Sequence, residues 1–251
     1  MRRLVGAGAL AAVAISVFVL WTGAARGGPV QEVTASPPSA AVSLGRTVYE
    51  ERCAACHGPG ATGTVQGPSI TGLGPAAYDF MMSTGRMPLD QPGAQPKRRR
   101  PVLSPTAIRA VTAFLTSLGP PGIPIPHVDF HAGNLSDGQK LYEDNCAPCH
   151  STSGNGGAVG KLIAPSVHQA TTTQIAEAVR VGPGTMPRFG PGSLDQLQLD
   201  SLTRYVLYLR QPNDRGGSGL DHVGPLIEGF VALGIGLGLI VLVTRWTGTR
   251  A

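Results

Sequence analysis

Aromatic side chains make up only 5% of this 251-residue chain. One large core of bulky apolar residues is therefore excluded. Glycine (35) and proline (22) together exceed a fifth of the residues, well above average usage. That composition suits two small, loop-rich units, each organised around something other than protein. Cysteine is scarce too: there are four, all in two "CxxCH" motifs, "ERCAACHGPG" and "DNCAPCHSTS".

Three readings of these motifs compete. Zinc ribbons space their cysteine pairs about 15–20 residues apart, whereas these lie 93 positions apart. Thioredoxin-like redox pairs sit near a strand–helix–strand pattern, which this chain lacks. Covalent haem needs two thiols for its vinyl groups and an adjacent imidazole for its iron. Only haem explains a histidine behind both pairs, and a porphyrin also supplies the missing core. The expected cofactors are two haem c groups, held by Cys53 and Cys56 and by Cys146 and Cys149, with His57 and His150 as iron ligands.

The chain repeats around these motifs. Gly45, Tyr49, Cys53, Cys56 and His57 each have a counterpart 93 positions later in Gly138, Tyr142, Cys146, Cys149 and His150. Both motifs end a short helical segment, "LGRTVYEERC" and "DGQKLYEDNC". Each unit closes on a longer amphipathic helix. The first begins at Ser104 as N-cap with Pro105 at the first helical position. The second begins at Ser193 as N-cap, with Asp195 in its first turn. The stretch between motif and closing helix reads mostly as glycine–proline loop.

An electron carrier needs a sixth iron ligand, and methionine raises the potential. Met87 in "STGRMPLD" and Met186 in "GPGTMPRFG" each precede a proline, which pushes them out of helical conformation, and each lies between motif and closing helix. They are the expected ligands of the first and second iron. Met81 and Met82 read as core packing. His127, His131, His168 and His222 read as surface residues. Pro68 and Pro165 follow the motifs at equivalent places; in small c-type cytochromes such a proline carbonyl accepts a bond from the ligand histidine's other nitrogen.

Long apolar runs occur only at the two ends. Residues 1–25 place Arg2 and Arg3 before an uncharged stretch, an export signal that is either cleaved or retained as an anchor. Val223 to Val243 is long enough to span a bilayer, which takes about 20 residues, and residues 223–244 read as a transmembrane helix. Its Gly234 and Gly238 form a small-xxx-small pair suited to helix docking, and Glu228 falls near its outer interface. Arg2, Arg3, Arg245 and Arg250 flank the two segments, and positive flanks stay in the cytoplasm. Both motifs then face the extracytoplasmic side, where nucleic acid is not an expected partner. The expected order is signal or anchor 1–25, tether 26–42, first domain 43–118, linker 119–136, second domain 137–212 and membrane helix 223–244.

Two "CxxCH" domains with "STGRMP" and "MPRF", an export segment before them and "VGPLIEGF" opening a C-terminal anchor resemble the dihaem cytochrome c (cytochrome cc) subunit of actinobacterial cytochrome bc complexes. The resemblance covers nearly the whole chain. It implies an all-α fold of two tandem small class I cytochrome c domains. It also implies an electron-transfer subunit of a quinol–cytochrome c reductase, without a catalytic site of its own. The implied partners are cytochrome b and the Rieske iron–sulfur protein as donor side, a terminal oxidase in one supercomplex as acceptor, and the lipid membrane. The rival readings are an electron-accepting subunit of a periplasmic dehydrogenase and a dihaem peroxidase.

Charge is uneven. Residues 45–118 carry eight Lys/Arg against four Asp/Glu, while residues 134–212 carry six of each. Most of the excess is "KRRR", Lys97 to Arg100, which reads as a solvated loop or a docking patch for an acidic surface or anionic lipid.

Overall fold

The computed structural model describes residues 38–213 and 225–248. The export segment, the tether up to residue 37, His222, Val223 and Arg250 lie outside the described residues. The first unit runs α1 (Pro38–Arg52), α2 (Ala54–His57), α3 (Pro75–Ser83) and α4 (Pro105–Ser117). The second runs α5 (Leu135–Asn145), α6 (Ala147–His150), β1 (Gly157–Val159), β2 (Leu162–Ala164), α7 (Thr172–Val181) and α8 (Gln196–Tyr208), and α9 (Pro225–Gly248) follows. Helix α1 already begins within the segment read as tether, where proline suits a first helical turn.

In each unit the helix leading into the motif crosses the closing helix, and the repeated residues explain how. A Cβ on Gly45 would lie 2.0 Å from the carbonyl oxygen of Ala110 in α4; one on Gly138 would lie 2.0 Å from that of Ser201 in α8. Only glycine allows backbones so close. One turn later Tyr49 packs on Phe114 at 5.4 Å between ring centroids, and Tyr142 on Tyr205 at 5.5 Å. Both phenols are buried and donate back across the motif, Tyr49 to Gly58 O at 2.7 Å and Tyr142 to Ser151 O at 2.8 Å. The repeat of sequence is thus a repeat of one helix crossing and one tyrosine brace.

Ser104 caps α4, accepting from Ala107 N at 3.2 Å with Pro105 at the first position, as expected. The cap of α8 is Asp195, not Ser193: its carboxylate accepts from Gln198 N while Gln198 reaches back to Asp195 N. A reciprocal capping box satisfies two backbone donors where a lone serine satisfies one. Two elements were not anticipated. Helix α7 is set by a second capping box, Thr171 with Gln174, and stopped by Gly182 in the left-handed region. The antiparallel β1–β2 hairpin is a small departure from an all-helical fold. It fills the longer path from motif to proline in the second unit, 15 residues from His150 to Pro165 against 11 from His57 to Pro68.

Helices α3 and α7 join the units. Gln174 donates to the Ser83 hydroxyl at 3.1 Å, and Glu177 comes up beside Asp79 one turn further along, so the helices run antiparallel. Glu177 is 0% exposed and neither of its oxygens meets an N–H or hydroxyl donor. Two neighbouring carboxylates can only accept and repel each other when both are charged, so burying them together favours a proton on one. Burial, then the neighbouring Asp79, pushes the Glu177 carboxyl up to about 9; burial likewise raises Asp79, against opposing pulls from Ser83 and Arg109. A carboxyl with a higher pKa folded than unfolded gains a proton on folding. Its contribution is complete below the unfolded value near 4.5 and is lost as pH rises through about 9. Thermal unfolding of the holoprotein should therefore show stability falling by on the order of a few kcal/mol between about pH 5 and 9. Glu177→Gln should flatten that slope; parallel curves for the two proteins would show that no proton is shared.

Helix α9 runs past residue 244 to Gly248. Its Gly229–Gly248 stretch is apolar enough, at 20 residues, to cross a membrane, and none of its most apolar window is buried by the chain. A Cβ on Gly234 or Gly238 would meet nothing within 4 Å.

Candidate functional site

Each cysteine motif folds as a single helical turn, which is what two-residue spacing needs to bring both sulfurs to one side. Cys56 N and His57 N donate to Cys53 O at 3.1 and 3.0 Å; Cys149 N and His150 N donate to Cys146 O at 3.1 and 2.8 Å. None of the four thiols is in a disulfide, and all four are half-buried or partly exposed.

The imidazoles are set by the prolines. His57 Nδ1 lies 2.8 Å from Pro68 O, and His150 Nδ1 lies 2.8 Å from Pro165 O. A carbonyl only accepts, so Nδ1 carries the proton in both rings and Nε2 keeps its lone pair for a metal. This is the backbone bond that orients metal-ligating histidines.

Burial, then the charge of the neighbouring thiol, pushes Cys53 and Cys146 up to about 11. Both are neutral thiols near pH 7 when nothing is bound to them. Among the described residues no three His, Cys, Asp or Glu converge on a metal-sized site. Two thiols and one oriented imidazole on each turn are instead the donor set of a covalently held haem, and the residues present fit it.

The methionine loops are braced differently in the two units. Met87 is half-buried, and its N–H donates to Met81 O at 3.0 Å. Met82 is 7% exposed and belongs to the first core, while Met81 is half-buried. Arg99 clasps the loop, donating to Pro88 O at 3.3 Å and pairing with Asp90. In the second unit Met186 packs, with Cys146, on the edge of the core. There Arg180, 7% exposed, reaches Phe189 O at 3.1 Å and Leu194 O at 2.5 Å. It ties down the chain just beyond Met186. Arg180 escaped the sequence reading because its partners are backbone carbonyls, which leave no motif.

The "KRRR" run divides. Lys97, Arg99 and Arg100 are exposed, but Arg98 is half-buried and crosses to the second unit, donating to Gln169 O at 2.7 Å and Gln174 Oε1 at 2.9 Å. A wholly solvated loop is thus the wrong description of Arg98. His168 is also not simply a surface residue, since its Nε2 lies 2.7 Å from Ser153 O.

Comparison with known proteins agrees with this arrangement. Residues 42–119 match the family model Cytochrome c, and residues 133–206 match Cytochrome C oxidase, cbb3-type, subunit III. The whole chain aligns at 30% identity over 260 residues with the cytochrome bc1 complex cytochrome c subunit of Mycobacterium tuberculosis, covering 93% of that protein. The same-named subunit of Mycobacterium leprae is 31% identical over 232 residues, 89% of this chain and 80% of that one. That of Corynebacterium diphtheriae is 29% identical over 230 residues, 84% and 82% of the two chains.

Proposed function

This chain belongs to the family of cytochrome bc1 complex cytochrome c subunits, and we propose that it serves as a membrane-held dihaem wire from the Rieske iron–sulfur protein to a terminal oxidase. As a cytochrome c subunit of such a complex it transfers electrons, and its cytochrome c domains bind haem c covalently. In the proposal the first group is held by Cys53 and Cys56 with His57 and Met87 on its iron. The second is held by Cys146 and Cys149 with His150 and Met186. Haem c supplies an iron that alternates between ferric and ferrous states and so carries one electron at a time.

The chain's own residues orient and protect these centres. Pro68 and Pro165 fix the histidine tautomers, and Arg99 and Arg180 hold the methionine loops in place. The α3–α7 contact joins the two domains, so electrons pass within one polypeptide. The single observation carrying the reading is the matched pair of CxxCH turns with proline-oriented histidines, one per domain. Two Met–Pro loops favour six-coordinate iron in both domains, hence electron transfer over peroxide chemistry.

The oxidase end of the wire is supported by the likeness of residues 133–206 to a cytochrome c oxidase subunit. Anchoring is supported by α9, with Arg245 in its last turn. Arginine flanks on both terminal segments support placing the domains on the extracytoplasmic side. Purification in mild detergent tests the partners. Cytochrome b, an iron–sulfur protein and oxidase subunits are expected to come along with this chain. Recovery with a dehydrogenase and no cytochrome b would replace this reading with that of a dehydrogenase subunit.

A further inference from the structure

Three guanidinium groups meet where the two domains join. Arg98, from the first domain, donates to Gln169 O, and Arg210, at the end of α8 in the second, donates to the adjacent carbonyl of Ala170. Neighbouring acceptors place these two cations side by side. Arg86 comes from the segment that runs along Arg98: Arg99 N donates to Thr84 O at 3.1 Å, and a Cβ on Gly85 would touch Arg99 O. Arg86 lies flat over Phe80 at 4.8 Å and is only 9% exposed.

Their hydrogen-bonding is incomplete. Arg86 Nη1 and Arg210 Nε are sealed from solvent and meet no acceptor. Among the described residues the ion pairs are Arg99 with Asp90 and Lys140 with Asp137, so no carboxylate is paired with any of the three. Arg98 lies within electrostatic reach of both Arg86 and Arg210. A buried guanidinium with an unmet donor beside two half-buried cations is costly unless an anion compensates it, and a guanidinium fork matches a carboxylate or phosphate.

We propose that Arg86, Arg98 and Arg210 form an oxyanion-binding site bridging the two cytochrome domains. The proposal rests on the haem reading above for one of its two ligand sources. A haem propionate presents this chemistry from within the holoprotein, and a dissolved phosphate presents it from outside. In both cases the bound anion neutralises the cluster and completes the junction that Arg98 and Gln174 begin.

The experiment uses the detergent-purified holoprotein with Arg98→Gln, Arg210→Gln and the charge-keeping Arg98→Lys, each first checked by mass for its haem content. Midpoint potentials are measured without phosphate, and thermal unfolding is followed during titration with inorganic phosphate. If a propionate fills the site, Arg98→Gln and Arg210→Gln lower one haem's potential, because removing a nearby cation favours the ferric state. A roughly tenfold change in the one-electron equilibrium, about 59 mV, is expected. Arg98→Lys recovers much of it, and phosphate has no effect. If a dissolved anion fills the site, phosphate raises the unfolding temperature of the unmodified protein and not of the two glutamine variants, while potentials stay put. Potentials and phosphate response unchanged in every variant would overturn the proposal and leave the arginines as clamps on backbone carbonyls. Wild-type protein lacking two haems would instead break the functional reading, and the phosphate titration would still test the site.

Discussion

Met87→Ala and Met186→Ala are each expected to lower the potential of one haem and to open its iron to small ligands such as carbon monoxide. Thioether ligation raises the potential, and axial ligands span about 0.8 V in all. A fall on the order of 0.1 V is therefore reasonable for one lost methionine, roughly a fiftyfold change in the one-electron equilibrium at 59 mV per decade. The two variants should act independently, because each loop is braced within its own domain: Arg99 holds the chain after Met87 through Pro88 O, and Arg180 holds the chain after Met186 through Phe189 O. Redox titration with spectra of both oxidation states checks this. A variant that keeps a six-coordinate His/Met spectrum would show that its methionine is not the ligand. In the first domain Met81 or Met82 would then be the candidate, although Met82 is already sealed in the core. In the second it would be His168, although its Nε2 is engaged by Ser153 O.

His57→Ala and His150→Ala are expected to do more: each should cost its domain the covalent haem and the fold. The first core rests on a handful of buried side chains such as Tyr49, Val111 and Phe114. A unit this small buries too little apolar surface to be secure without its prosthetic group. The unmodified protein should carry two covalently attached haems on a denaturing gel and by mass, and each variant should carry one. Limited proteolysis should then remove the affected domain while its neighbour keeps its spectrum. A variant that retains both haems and unfolds like the parent would show that the histidine holds nothing essential. Binding of zinc in place of haem would overturn the cofactor assignment altogether.

Much of this protein was legible in the chain itself because its chemistry is local. A CxxCH turn needs no distant partner: two thiols and an imidazole within five residues specify their own geometry. The 93-residue repeat of glycine and tyrosine announced a repeated substructure, and the reason lies in a helix crossing that only glycine permits. Ser104 with Pro105 declared the start of a helix, because capping is settled within four residues. The choice of Asp195 over Ser193 was also local, and the reciprocal reach of Gln198 was its overlooked sign.

Tertiary structure decided whatever depended on residues far apart in the chain. Nothing in "KRRR" separates Arg99, which clasps the loop after Met87, from Arg98, which crosses 71 residues of sequence to Gln169. Glu177 looks like any surface glutamate on an amphipathic helix until α3 covers it and brings up Asp79. Arg180 and Arg86 likewise read as ordinary cations, since burial is conferred by neighbours that no local pattern encodes. Spacing along the chain marked out the thiols and imidazoles of the two CxxCH turns. Only tertiary packing, within and between the domains, determined which charges lost their water, because desolvation depends on what closes over a group and not on what precedes it.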